Sequence, residues 1–188
     1  MANSGLIEVP NPSQMLLEGR PEGASGTCVA CVMEGTRPVL AEVQALVSKT
    51  SFNVPRRTAD GFDFNRAALL LAVAEKRCGM KLSAFDAYIN VIGGLQLDEP
   101  GADLPVVLAI VSSYRDAVIP SDLVAIGEVG LTGEIRSVSN INQRLAEVAR
   151  LGFKTCIIPR NGSEKLDIPE NLTVYRVKNL QEAIATAI

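Results

Sequence analysis

The segment Gly127-Glu128-Val129-Gly130-Leu131-Thr132-Gly133-Glu134-Ile135-Arg136 constrains this chain more than any other stretch. It joins two short apolar runs that read as strands, Leu123–Ile126 and Gly133–Ser137. Beyond it, Ser139 or Asn140 caps a helix that continues to Leu151 and is ended by Gly152. Lys154–Ile158 and then Thr173–Val177 are strands, and Asn179 caps a last helix through Ala187. Strands and helices interleaved in this way predict an α+β domain.

Upstream the same reading extends the pattern. Residues 1–24 carry Pro10, Pro12, Pro21 and several glycines, and form an extended arm with one short helical turn around Ser13–Leu17. Apolar, β-branched runs at residues 27–33 and 38–48, separated by Glu34-Gly35-Thr36-Arg37, form a hairpin. Asp60 is placed to cap a helix in which Phe64, Ala67, Ala68, Leu71, Ala72 and Ala74 recur at helical spacing until Gly79. Ala87–Ile92 is a strand stopped by Gly93-Gly94, and Leu104–Tyr114 is an apolar helix with Pro105 in its first turn. With 188 residues, 47% of them hydrophobic, the chain can bury one good core, so residues 25–188 make a single domain behind the arm.

Several chemistries are excluded at once. The chain has no histidine, which removes Ser-His-Asp and Cys-His catalysis and every histidine-ligated metal. Cys28 and Cys31 are spaced C-x-x-C but sit in an apolar strand, where residues three apart face opposite ways. They are therefore no chelating or disulfide pair, and with Cys78 and Cys156 they read as reduced core or near-surface thiols of a reducing compartment. No apolar run approaches twenty residues and the N-terminus has no basic stretch followed by an apolar one, so a cytoplasmic location without membrane contact is expected. A net charge of -3 gives no global attraction to nucleic acid, so any such contact needs a local patch.

The G-L-T-G-E of Gly130–Glu134, followed by Gly152-Phe153-Lys154 and Pro159, resembles the proteolytic domain of Lon-type ATP-dependent proteases. That resemblance implies the Lon proteolytic-domain fold, a mixed sheet packed with helices. Lon cuts peptides with a serine–lysine pair, and neither partner stands in place here. The serine position falls on Asp103, within Asp98-Glu99-Pro100-Gly101-Ala102-Asp103-Leu104-Pro105, and a carboxylate has no hydroxyl proton to transfer. Counting back without gaps from Gly152-Phe153-Lys154, the lysine position falls on Asn142, whose amide takes no proton near neutral pH. Arg144, two residues on, is permanently charged and cannot substitute. Asp103 and Asn142 are thus the vestigial dyad positions.

Gly5-Leu6-Ile7-Glu8-Val9-Pro10-Asn11-Pro12-Ser13, Glu34–Pro38, Pro55-Arg56-Arg57 and Asn90–Gly94 narrow the resemblance to the bacterial DNA repair family RadA (Sms). Its members join a zinc finger, a RecA-like ATPase and a Lon-like C-terminal domain, and the likeness here is to the last alone. The chain holds no G-x-x-x-x-G-K-[ST] phosphate loop and no four-cysteine zinc pattern, so it needs no cofactor of its own. ATP, magnesium and zinc belong to the other domains, with residues 1–24 as the linker from the ATPase. The resemblance further implies a hexameric ring, sequence-independent DNA contact, a RecA-type recombinase as partner, and a role in branch migration.

Two groups of residues can carry function. Arg37, Lys49, Arg56, Arg57 and Arg66 cluster in an otherwise acidic chain, with Arg56-Arg57 stiffened behind Pro55 in a loop, and fit phosphate contact on DNA. Asp98, Glu99 and Asp103 lie close in sequence; a magnesium site is possible, against the plainer reading of Asp103 as N-cap of the Leu104–Tyr114 helix. The expectation is a proteolytically inactive Lon-like scaffold that contacts DNA. The alternative is an atypical Lon-family peptidase or a peptide-binding module in the old groove.

Overall fold

The computed structural model describes residues 11–188; the Gly5–Pro10 part of the arm lies outside them. In chain order the first elements are α1 (Pro12–Leu16), β1 (Thr27–Glu34), β2 (Arg37–Lys49), β3 (Arg57–Asp60) and α2 (Phe64–Cys78). They are followed by β4 (Phe85–Val91), α3 (Asp103–Arg115), β5 (Leu123–Ala125), β6 (Glu128–Val129) and β7 (Ile135–Arg136). The chain ends with α4 (Ile141–Arg150), β8 (Thr155–Pro159), β9 (Thr173–Val177) and α5 (Leu180–Ala187).

Seven strands form one mixed sheet in the order β3-β4-β2-β1-β5-β8-β9, and β6 with β7 makes a separate two-stranded hairpin. The β1–β2 hairpin pairs Glu34 with Arg37 and Thr27 with Gln44, so the predicted turn at Gly35-Thr36 is present. Helices α2, α3 and α5 cover one face of the sheet, while α4 and α1 cover part of the other. The class is therefore α+β, as expected.

Helix α3 is central. Every residue from Asp103 to Ser112 is buried, which explains why its sequence is apolar all round rather than striped. Each fully buried leucine or isoleucine there, such as Leu104, Leu108 and Ile110, contributes about 1.5–3 kcal/mol. Its one buried hydroxyl near the C-terminal end, that of Ser112, accepts from the Gly26 amide at 2.8 Å and donates to the Ala117 carbonyl.

The cysteines fall as alternation requires. Cys28 points into the core under α2 and α3, and Cys31 into the core under α4. All four are free, with Cys78 partly exposed and the other three buried.

Three local expectations are corrected. Asp63, not Asp60, caps α2, its side chain accepting from the Arg66 amide at 2.7 Å. Asp60 instead ends β3, a four-residue parallel strand beside β4 that starts at Arg57, where a loop was expected. Asn140 occupies the cap position of α4 but at φ 59°, with no side-chain capping bond. Asn179 does cap α5, accepting from the Glu182 amide at 2.9 Å. Helix α1 of the arm lies on the sheet: Ser13 is buried and its hydroxyl accepts from the Leu40 amide at 3.0 Å.

Candidate functional site

Asp103 opens α3 at the base of a shallow cavity of about 250 Å³ lined by Phe62, Asp63, Arg66, Leu97 and Glu128. Its side chain is 1% exposed and fully engaged. Arg66 from α2 meets it with two guanidinium nitrogens, Nε donating to Oδ1 at 2.9 Å and Nη2 to Oδ2. The Val129 amide donates to Oδ2 at 3.0 Å, and Arg66 Nη2 donates to the Val129 carbonyl at 2.9 Å. The hydrogen bond to Asp103 holds the Arg66 guanidinium pKa above its ordinary value. Asp103 is therefore not an N-cap, as the sequence suggested. It is the first helical residue, and it ties α3 to α2 and to the start of the glycine-rich hairpin.

That hairpin explains its glycines by contact. A β-carbon at Gly130 would collide with the Glu134 carboxylate, which folds back to accept from the Thr132 amide at 3.2 Å. Gly133 has φ 84°, a backbone that side chains strain against. The Thr132 hydroxyl, then the backbone amides, hold the Glu134 carboxyl below the usual carboxylate range.

Glu99, in the same acidic loop, goes to a different cation. Arg144 on α4 is 1% exposed at its side chain and pairs with Glu99, Nη2 donating to Oε2 at 2.9 Å. Arg144 also donates Nη1 to the Cys31 carbonyl at 2.7 Å and Nε to the Ser139 carbonyl at 2.9 Å. The Met33 amide donates to Glu99 at 3.3 Å. Glu99 and Asp103 are thus held by separate arginines rather than converging on a cation. Among the described residues, no group of three or more His, Cys, Asp and Glu side chains is placed to hold a metal ion.

Asn142 lies in the first turn of α4 and clasps the loop before β9. Its Nδ2 donates to the Lys165 carbonyl and its Oδ1 accepts from the Asp167 amide, both at 2.9 Å. Both ends of the amide are occupied in positioning that loop. The Glu99–Arg144 pair lies outside every motif, yet Arg144 carries a signal in the sequence. Arg144 falls on the helical stripe of Ile141, Leu145 and Val148, and a charge on a buried stripe needs a buried partner.

The five basic residues do not form one patch. Arg37 opens β2 and Lys49 closes it, twelve residues of extended chain apart, which is about 40 Å. Arg66 is committed to Asp103. Lys49, Arg56 and Arg57 do share one end of the sheet, around the start of β4. There Arg57 Nη2 donates to the Leu82 carbonyl at 2.6 Å and Nη1 to the Phe85 carbonyl. The Arg56 amide donates to Asp86 at 2.7 Å, and that bond is the main cause of a lowered Asp86 carboxyl pKa. Exposed Lys81 adjoins this end, a residue missed because it lies far from Arg57 in sequence.

The chain is similar to known proteins. The C-terminal proteolytic domain of Lon protease (S16) matches residues 67–188. The DNA repair protein RadA of Listeria monocytogenes is 50% identical over 188 residues, 100% of this chain and 41% of that protein. RadA of Bacillus subtilis is 51% identical over 189 aligned residues, again 41% of its length. RadA of Streptococcus pneumoniae is 49% identical over 184 residues, 98% of this chain and 44% of that protein. The chain spans about two fifths of the length of these relatives. A match over most of the chain, on the Lon-like helices and strands just described, makes it a member of the Lon protease C-terminal proteolytic domain family.

Proposed function

We infer that this chain is a proteolytically inactive Lon-fold domain of a cytoplasmic DNA repair protein, serving as a ring-forming scaffold and as a DNA-contact surface during recombination and branch migration. One observation carries the reading. At the position where Lon has its nucleophilic serine, this chain has Asp103, buried and neutralised by Arg66. A carboxylate held in two hydrogen-bonded contacts to one arginine neither attacks a peptide carbonyl nor exposes a charge to substrate. The Asn142 amide, at the lysine position, is spent on the loop at Lys165 and Asp167 and offers no base. The repair role rests on relatives about half identical along the whole chain, each a DNA repair protein by name. ATP turnover, with its magnesium, and a zinc module would belong to other parts of a longer protein, and a RecA-type recombinase would be its partner. No helix among the described residues is long and apolar enough to cross a membrane.

Incubation with unfolded casein and fluorogenic peptides tests the first half of this reading. No turnover above buffer is expected. Reproducible cleavage that disappears in Asp103→Ala would overturn it and favour an atypical peptidase.

A further inference from the structure

The segment between β2 and β3 holds an aromatic ring where a phosphate patch alone would not need one. Phe52 is 51% exposed and Val54 76% exposed, and the Arg56 guanidinium carbon stacks 3.8 Å from the Phe52 ring centroid. The loop is tied down on both sides. The Thr50 amide donates to the Ala84 carbonyl at 3.1 Å, the Phe52 amide to the Thr50 hydroxyl at 3.1 Å, and the Arg56 amide to Asp86 at 2.7 Å. Lys49 precedes the loop and Arg57 follows it, with no acidic residue between Glu42 and Asp60 in sequence, and Asp86 is the one carboxylate bonded to it.

We propose that Phe52, backed by Arg56, is a base-stacking platform that makes this basic end a binding site for single-stranded nucleic acid. The proposal rests on the DNA-contact reading above and names its substrate class. Bases in a duplex already stack on one another, so an exposed ring adds nothing there. On a single strand every base has a free π-face, and a ring beside cations gains from stacking irrespective of sequence. Phenylalanine has no donor or acceptor with which to read a base edge, so the preference is for strandedness and not for sequence. The ring is fixed in advance: Arg56 covers one face and half of the residue's surface stays open. An ordered loop with a pre-placed ring loses less entropy on binding than a mobile one.

The test is fluorescence anisotropy on the 188-residue protein with three labelled probes of equal length: oligothymidine, the same backbone without bases, and a duplex. The unaltered protein should bind oligothymidine more tightly than the abasic strand. Phe52→Ala and Phe52→Leu should each weaken oligothymidine binding about fivefold or more. Both should leave the abasic and duplex affinities unchanged, and Phe52→Trp should keep the preference. Light scattering on each variant accompanies the titrations. Equal binding of oligothymidine and abasic strand, or a preference that survives Phe52→Ala, would overturn the platform while leaving phosphate contact intact. Failure to bind any of the probes would overturn the DNA-contact reading itself, and the platform with it. A changed mass with unchanged affinities would make Phe52 a protein–protein contact and overturn the platform equally.

Discussion

Arg144 is the residue whose environment differs most from that of an ordinary surface charge. It is buried and gives its donors to Glu99 and to the Cys31 and Ser139 carbonyls. Removing one member of such a pair strands the other, so Arg144→Ala should lower the unfolding free energy by about 3–5 kcal/mol. Arg150, half exposed and paired with Glu147, should change it by less than about 1 kcal/mol when replaced by alanine. Urea titrations of both variants check this, and equal losses would contradict the buried network. The buried thiols give a pH dependence of definite sign. Desolvation raises the pKa of Cys28 and of Cys31 from 9.0 to about 12. In the unfolded chain these thiols ionise near 9, while in the fold they keep their protons. Their contribution is therefore fully present below pH 9 and is lost as pH rises towards 12. The urea midpoint should fall over that window, and less steeply in Cys31→Ala; an unchanged slope would rule the thiol out as the cause.

At the level of elements, the glycine-rich hairpin between β6 and β7 makes the sharpest demand on sequence. Gly130→Ala drives a methyl into the Glu134 carboxylate that closes the turn. That carboxylate is the end of a flexible side chain and can swing aside, so the cost should stay below that of Gly133→Ala, whose positive φ should destabilise the domain by about 1–3 kcal/mol. Thermal unfolding would detect the difference; a Gly133→Ala protein as stable as its parent would mean that the turn yields freely. Elements with local signals were legible in advance. Asn179 capped α5 as read, and the apolar runs of β1 and β2 gave their hairpin, because caps and periodicity act within a few residues. Strand β3 was not legible, since four residues with no apolar alternation owe their pairing wholly to β4. The same holds for the site. Asp103 and Asn142 could be singled out by motif, but their partners Arg66, Lys165 and Asp167 come from elsewhere in the chain. The basic residues appeared to cluster because they are near in sequence, and the length of β2 separates them.

On the scale of the whole molecule, the proposed work divides between the two ends of the sheet. The head of α3 is closed by two arginine–carboxylate pairs, while the end holding Lys49 and Arg56 faces outward. Head-to-tail association of such domains closes into a ring when the rotation between neighbours permits, and a ring multiplies a weak patch by its number of subunits. Light scattering of the longer protein with DNA and an ATP analogue should find a hexamer, and a strict monomer would remove the ring from the account. The DNA-contact claim is tested most directly by the salt dependence of duplex affinity in the unaltered chain and in a Lys49→Ala, Arg56→Ala double variant. Arg57 is left in place because its bonds to the Leu82 and Phe85 carbonyls give it a part in folding. Each phosphate contact releases counterion, so the logarithm of affinity should fall with the logarithm of salt, and the double variant should flatten that slope by about two. The account predicts that flattening alike for unrelated sequences. An unchanged affinity and slope would contradict it.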